Sequence, residues 1–233
     1  MTPSGPGAPG PDPGPDAPGP DAGRTGAAPP APAPAPGEAA PGAEQDRRNV
    51  EDRYRGWSVE AITTDVAARS HPFHVAVENL VHDFNIGSIV RSANAFGARS
   101  VHVVGRRRWN RRGAMVTDRY LDVRHQPDAE ALHRRAAGEG LAVVGVDNVA
   151  GALPVETVEL PERCVLLFGA EGPGLSAEAL AGCDMLVGIS QFGSTRSVNV
   201  GAAAAVVMHA WVRRWVFGQL VGPGPRDGTD PPG

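Results

Sequence analysis

The 233 residues are 41% hydrophobic, 21% charged and 5% aromatic, with a formal net charge of −4. Fourteen of the 23 prolines fall in residues 1–46, among Gly and Ala without a strict Gly-X-Y period. This excludes collagen and predicts a disordered arm that buries too little apolar surface to offset its ordering entropy. No apolar run approaches the roughly 18 to 20 residues of a membrane span, and no basic segment leads into an apolar one at the start, so a soluble, cytoplasmic protein is expected.

The expected organisation is the arm (1–46), a short extension (47–70), one folded domain (71–220) and a disordered tail (221–233). Six acids of the arm face only Arg24, and two of the tail face only Arg226, which leaves 20 basic and 18 acidic residues between them. Residues 99–135 hold ten Arg against four acids, including GRRRWNRRG at 105–113, an electrostatic footprint for phosphate. Lysine is absent throughout, so the clustering, and not the choice of arginine, carries that signal.

In chain order, FHVAVENL (73–80) reads as a strand. Ile86, Ile89, Val90, Ala93 and Phe96 then share one helical face over 86–97, with Asn85 at the N-cap. SVHVV (100–104) is a second strand, followed by the Arg-rich loop and a helix over 128–137. LAVVGVD (141–147), CVLLFGA (164–170) and MLVGIS (185–190) are further strands, with a short helix over 177–180. A long helix over 198–217 closes the domain. Continuous apolar strands alternating with helices predict an α/β fold with a parallel sheet covered on both faces. Cys164 and Cys183 lack metal-ligand spacing and read as reduced core residues. The seven His are scattered and H-E-x-x-H is absent, so no metal is expected.

In such a sheet, ligands bind beyond the carboxyl ends of the strands. Three segments there are rich in Gly and polar residues: NIGSIVR (85–91), FGAEGPGLS (168–176) and ISQFGSTRSVNVG (189–201). Singly, each has a plain structural reading: Asn85 as a helix cap, Arg91 as a solvated helix residue, the glycines as turns, Ser197 as the cap of the last helix. Glu171, between two glycines, contributes nothing to packing. Neither a P-loop nor a dinucleotide fingerprint fits.

Taken together, NIGSIVRSANAFG, LLFGAEGPGLS and ISQFGSTRSVNVGAAAAVVMHAW, in this order, resemble the three signature motifs of the SpoU (TrmH) family of RNA ribose methyltransferases in the SPOUT superfamily. The resemblance covers about residues 73–217. It implies an S-adenosylmethionine-dependent enzyme that methylates a ribose 2′-hydroxyl of tRNA or rRNA, and a fold with a C-terminal trefoil knot. It implies catalytic roles for Asn85, Arg91, Glu171, Ser197 and Asn199, and a cofactor pocket around Gly169, Ile189 and Val198. Gly-rich loops suit such a pocket because main chain can approach a ligand where no Cβ intervenes. Two positions depart from the family pattern: Ser190 replaces a proline, which bears on loop rigidity, and Gly201 replaces a serine.

Guanidinium is always charged near neutral pH, so Arg91 is expected to clamp a phosphate and stabilise a developing alkoxide. Arg106, Arg107, Arg108, Arg111 and Arg112 are expected to grip RNA backbone, with Trp109 available to stack on a base. The apolar helix 202–217 is expected at a homodimer interface, as the resemblance implies, or in the core. The alternative reading is a catalytically inactive RNA-binding relative with the same fold.

Overall fold

The computed structural model describes residues 46–79, 85–170 and 172–219. The expected arm, apart from residue 46, and the tail lie outside the described residues, as does Glu171. Seven strands, β1 (Phe73–Asn79), β2 (Val101–Gly105), β3 (Val123–Gln126), β4 (Ala142–Val146), β5 (Leu153–Pro154), β6 (Cys164–Phe168) and β7 (Met185–Gly188), form one sheet. Its order is β3-β2-β1-β6-β4-β7-β5, and every pairing is parallel. The helices are α1 (Val59–Arg69), α2 (Ile86–Ala95), α3 (Ala129–Glu139), α4 (Ala177–Ala181) and α5 (Val200–Trp215).

Strand side chains point alternately to opposite faces, and both faces are covered. Phe73, Val75 and Val77 of β1, with Leu166 and Phe168 of β6, pack against Ile86, Ile89 and Val90 of α2 and Val207, Met208 and Trp211 of α5. Ala76, Val165 and Leu167 face the other way, onto Leu132 and Ala136 of α3 and Ala179 of α4. Every residue of β1 and β6 is buried. The long apolar helix expected at 198–217 therefore gives one stripe of α5 to the core. Trp211 lies 4.4 Å from Phe73, centroid to centroid, and donates its indole N–H to the Pro161 and Glu162 carbonyls.

Two strands were not legible in the sequence. β3 reads Val-Arg-His-Gln, and only Gln126 of its four residues is buried; as an edge strand it needs no apolar alternation. β5 has two exposed residues. Gln126 closes a buried polar chain across the sheet. Its amide donates to His102 Nδ1 at 3.0 Å, His102 Nε2 meets Ser100 Oγ at 3.0 Å, and Ser100 Oγ meets His74 Nδ1 at 2.8 Å. Because His102 Nδ1 accepts, its ring proton sits on Nε2, and each hydroxyl or N–H then points one way along the chain. Burial pushes His102 down to about 3 and His74 to about 4, so both rings stay neutral.

The extension is ordered as α1, capped by Ser58 Oγ, which accepts from Ala61 N at 3.1 Å. Ile62 packs with Tyr54 and Tyr120 in a small separate cluster. Cys164 is buried and Cys183 half-buried; both are free, and burial pushes their thiols up to about 12 and about 11.

Candidate active site

The carboxyl ends of β6, β4 and β7 enclose a cavity of about 330 Å³. Five of the residues named from sequence line it: Gly169, Ile189, Ser197, Val198 and Asn199. They come from two loops that follow β6 and β7.

The first loop is closed on itself. Ala170 and Gly174 exchange backbone hydrogen bonds of 3.1 Å, and the turn passes through Gly172 and Gly174 at φ +95° and +74°, backbone that favours glycine. Gly169 is required for a different reason from the one expected. A Cβ there would collide with the backbone of Gly174 and Leu175, so glycine permits the loop to fold back before any ligand is considered.

Anchoring side chains, none of them singled out from sequence, fix both loops. After β4, the Asp147 carboxylate accepts from Leu175 N at 2.9 Å, and Asn148 Oδ1 accepts from Ile189 N at 3.1 Å. Both residues also line the cavity. At the end of β1, buried Glu78 accepts from Ser176 N and Oγ, each at 2.7 Å, and so holds the start of α4. Ser190, at the position where the family pattern has proline, donates its N–H and its hydroxyl to the two oxygens of Glu156 at 3.0 and 3.1 Å. Two hydrogen bonds stand where a ring would restrict the backbone. The only sequence signal for these anchors is weak: Asp147-Asn148 is a polar pair ending an apolar strand.

Asn199, and not Ser197, caps α5. Its Oδ1 accepts from Gly201 N and Ala202 N at 3.0 and 3.3 Å, while its Nδ2 donates to Asn85 Oδ1 at 3.0 Å. Asn85 precedes α2 as expected, yet its side chain makes no cap hydrogen bond and turns to Asn199 instead. That bond joins the first and third sequence segments. A Cβ on Gly201 would lie 3.1 Å from Asn199 Oδ1 and 3.4 Å from Ser88 Cβ, so a small residue lets α5 approach α2 closely.

Arg91 is exposed on α2 and does not line this cavity. It borders a second one, of about 570 Å³, between α2, the end of α5 and the extension, together with Arg53, Tyr54, Arg69 and Tyr120. No group of three or more His, Cys, Asp or Glu among the described residues could hold a metal. No helix of the described residues is long and apolar enough to cross a membrane.

The Arg-rich loop leaves β2 on the other half of the sheet, with Arg106, Arg107 and Arg108 exposed. Buried Asn79, at the end of β1, holds it: its amide donates to the Arg106 and Arg108 carbonyls at 2.6 and 2.9 Å, and its own carbonyl accepts from Arg106 N at 3.1 Å. Trp109 is half-buried against the core, and the Arg111 guanidinium lies 5.4 Å over its ring. A base stacking on that face would have to displace Arg111, which qualifies the expected role of Trp109. Arg112 is exposed, and Gly113 abuts Gly87 of α2 so tightly that a Cβ on Gly87 would lie 2.8 Å from Gly113 Cα. The chain then passes through Met115 and Val116 at φ +48° and +71°, a conformation costly for a β-branched residue.

The family model described as "SpoU rRNA Methylase family" matches residues 72–209. The chain belongs to this family. A protein of Mycolicibacterium vanbaalenii described as an uncharacterized tRNA/rRNA methyltransferase is 36% identical over 141 residues, 58% of this chain and 44% of that protein. The tRNA (guanosine(18)-2′-O)-methyltransferase of Borreliella burgdorferi is 24% identical over 149 residues, 63% of this chain and 68% of that enzyme. Among solved structures, the SpoU methyltransferase AviRb from Streptomyces viridochromogenes is 30% identical with a TM-score of 0.57, over 65% of this chain and 62% of that one. The same protein in complex with AdoMet matches at 29% identity with the same TM-score, over 66% of this chain and 62% of that one. This SpoU family member thus spans about two-thirds of the Borreliella enzyme and under half of the mycobacterial relative.

Proposed function

We propose that this chain transfers a methyl group from S-adenosylmethionine to a ribose 2′-hydroxyl of tRNA or rRNA. The observation that carries the reading is that the second and third signature segments line one cavity at the carboxyl end of a parallel sheet, with the first tied to its rim by the Asn85–Asn199 bond, in a member of the SpoU rRNA methylase family. The relative solved with AdoMet and the Borreliella tRNA 2′-O-methyltransferase support the same choice of cofactor and substrate.

The residues present fit the cofactor. The cavity volume lies within the range of small-molecule sites, Gly169 and Gly174 bring main chain to its wall, and Val146, Phe168 and Val198 supply apolar surface. Gln191 Oε1, on the lining residue Gln191, is buried without a hydrogen-bond partner among the described residues. A buried acceptor left unpaired costs about 1–3 kcal/mol, and the amino groups of the cofactor are donors that would relieve it. When bound, S-adenosylmethionine supplies an electrophilic methyl group on sulfur.

The chain's own groups do the rest. Asn199 and Asn85, tied together, would orient the ribose at the rim, with Ser197 beside them. Glu171, which the family resemblance places in the site, would orient Arg91 or the ribose. Arg91 would clamp the phosphate next to the target ribose and stabilise negative charge developing on the 2′-oxygen. The exposed arginines of 106–112 would hold RNA backbone, and Ile189 and Val198 would flank the adenosine. A homodimer is part of this reading: α5 leaves Val206 exposed, the chain beyond it exposes Val216 and Phe217, and Arg91 borders a cavity that reaches Val212 near the same end of that helix. So are the C-terminal trefoil knot and a cytoplasmic site of action.

The test is incubation of the purified protein with methyl-labelled S-adenosylmethionine and total RNA from cells lacking it, followed by nuclease digestion. Label in 2′-O-methylnucleosides is the expected result. Cofactor and RNA binding without transfer would instead establish the inactive relative.

A further inference from the structure

At the β2-β3 edge of the sheet, away from the Gly-lined cavity, a hollow of about 280 Å³ lies over Val103 of β2 and Val123 of β3, beneath the Arg-rich loop. Arg107, Trp109, Arg111, Asp118, Arg124 and His125 surround it. We propose that Arg107, Arg111 and Arg124 form a seat for an RNA backbone phosphate, placed to hold the strand that flanks the methylated nucleotide. The inference rests on the RNA-directed reading above and assigns that grip to a defined place.

Three arginines line this hollow, and Asp118 is the one acidic residue among its lining. Arg111 is held by two contacts, an ion pair with Asp118 at 3.2 Å and the Trp109 ring beneath it, so little side-chain entropy remains to be lost on binding. Arg124 pairs with Asp122 at 2.6 Å and reaches Glu139 at 3.7 Å. Arg107 is exposed and makes no ion pair among the described residues. The two supporting segments are rooted independently: Asn79 holds the loop at Arg106 and Arg108, and His125 donates from Nε2 to the Gly105 carbonyl at 2.8 Å, tying β3 to the start of the loop. A planar fork held in advance suits phosphate, which accepts two parallel N–H bonds.

The seat divides the Arg-rich run in an unexpected way. Of its five arginines, Arg107 and Arg111 border the hollow; Arg106, Arg108 and Arg112 do not. The third arginine, Arg124, comes from β3 and is one of the ten counted over residues 99–135. With neighbouring strands about 4.8 Å apart, three strand spacings separate β2 from β4, or about 15 Å between the seat and the cofactor cavity. A phosphate here belongs to a neighbouring nucleotide, not to the one that reacts.

The experiment measures binding of unfractionated tRNA and of a labelled single-stranded oligoribonucleotide to the full chain, without cofactor, as salt is raised. Each phosphate contact contributes about 0.7 to 0.9 to the slope of log affinity against log salt. Arg107→Gln and Arg124→Gln are each expected to weaken binding and lower that slope by about this amount. Arg163→Gln, which removes the same charge just before the amino end of β6, is expected to leave it unchanged. Because Arg124 also makes ion pairs, its variant is read only where its thermal midpoint matches the wild type; Arg107→Gln decides otherwise. Unchanged slopes in a folded Arg107→Gln or Arg124→Gln would overturn the seat. Cofactor is absent from the assay, so the seat stands or falls separately from methyl transfer: an active enzyme with unchanged slopes loses the seat alone, and lowered slopes in an inactive protein keep it.

Discussion

The two halves of the sheet hold their carboxyl-end loops by opposite means. On the β6-β4-β7 side, carboxylates and an amide (Asp147, Asn148 and Glu156, joined by Glu78 from the neighbouring end of β1) fasten backbone N–H groups of the loops. On the β1-β2-β3 side, Asn79 and His125 fasten backbone carbonyls, and the loop turns its guanidinium groups outward. Anchoring N–H groups leaves a concave site with carboxylates among its supports, suited to a cationic cofactor. Anchoring carbonyls leaves a cationic rim around the β2-β3 hollow, suited to a polyanion. One sheet thus offers two chemically opposed surfaces at the same end.

The sharpest way to break this division is at Arg91, which belongs to neither loop. Arg91→Ala is expected to lower the methylation rate at least about a hundredfold, the scale for losing one preorganised charge-stabilising group, while the thermal midpoint stays nearly unchanged because the side chain is exposed. Arg91→Lys should recover little, since an ammonium lacks the bidentate fork. Near-normal turnover of Arg91→Ala on a substrate RNA would remove it from the mechanism.

Next in size is the loop closure. Gly169→Val forces the first cofactor loop away from Gly174, so calorimetric titration should find S-adenosylmethionine binding lost, with a stability cost of about 1–3 kcal/mol. RNA affinity should survive, because the Arg-rich loop is rooted elsewhere. Loss of both affinities in a folded variant would show that the halves are not independent.

A third effect is confined to the β1-β2-β3 half. In the unfolded chain His74 and His102 take protons near pH 6.5, whereas burial holds them to about 4 and about 3 when folded. The unfolded state therefore binds more protons below pH 6.5. Stability from this pair is complete above that pH and is lost progressively as pH falls toward 4. Thermal midpoints measured from pH 7.5 to 4.5 should fall accordingly, and His102→Gln should flatten the decline.

The smallest change tests the Ser190 substitution. Removing the carboxylate with Glu156→Ala takes away two hydrogen bonds at an exposed site, each about 0.5–1.5 kcal/mol at most. Cofactor affinity should fall about two- to tenfold, with no change in RNA affinity. An unaltered cofactor dissociation constant would mean that the loop after β7 is rigid without Glu156.

The legible parts of the molecule were those whose signal is local. The apolar runs of β1, β4 and β6, the α2 stripe and the three glycine-bearing segments each declare themselves within about a dozen residues. What could not be read joins positions far apart in the chain. Glu78 and Ser176 are 98 residues apart, Asn148 and Ile189 are 41, and Asn85 and Asn199 are 114. A carboxylate that ends a strand looks the same in sequence whether it holds a loop or meets water. The polar edge strand β3 escaped for a related reason: with solvent along one side, nothing in its composition had to be apolar. Ser197 offered itself as a plain cap for α5 because serine and asparagine have nearly equal capping propensity; the bonds from Gly201 N and Ala202 N to Asn199 Oδ1 decide between them.

The strand order also fixes how the chain reaches this state. β1 is buried along its whole length, yet its partner β6 pairs Cys164 with Phe73, 91 residues later in the chain. At about 5–20 residues per second, ribosomal synthesis leaves that edge of β1 open for about 5 to 20 s. During this interval a strand that carries Phe73, Val75, Ala76 and Val77 presents unpaired N–H and carbonyl groups, a template for pairing with other chains. Parallel pairing over such a separation is slow in any case, because the loop must close before its contacts form. Refolding yield of this protein is therefore expected to depend on concentration, and the aggregates to form through β1.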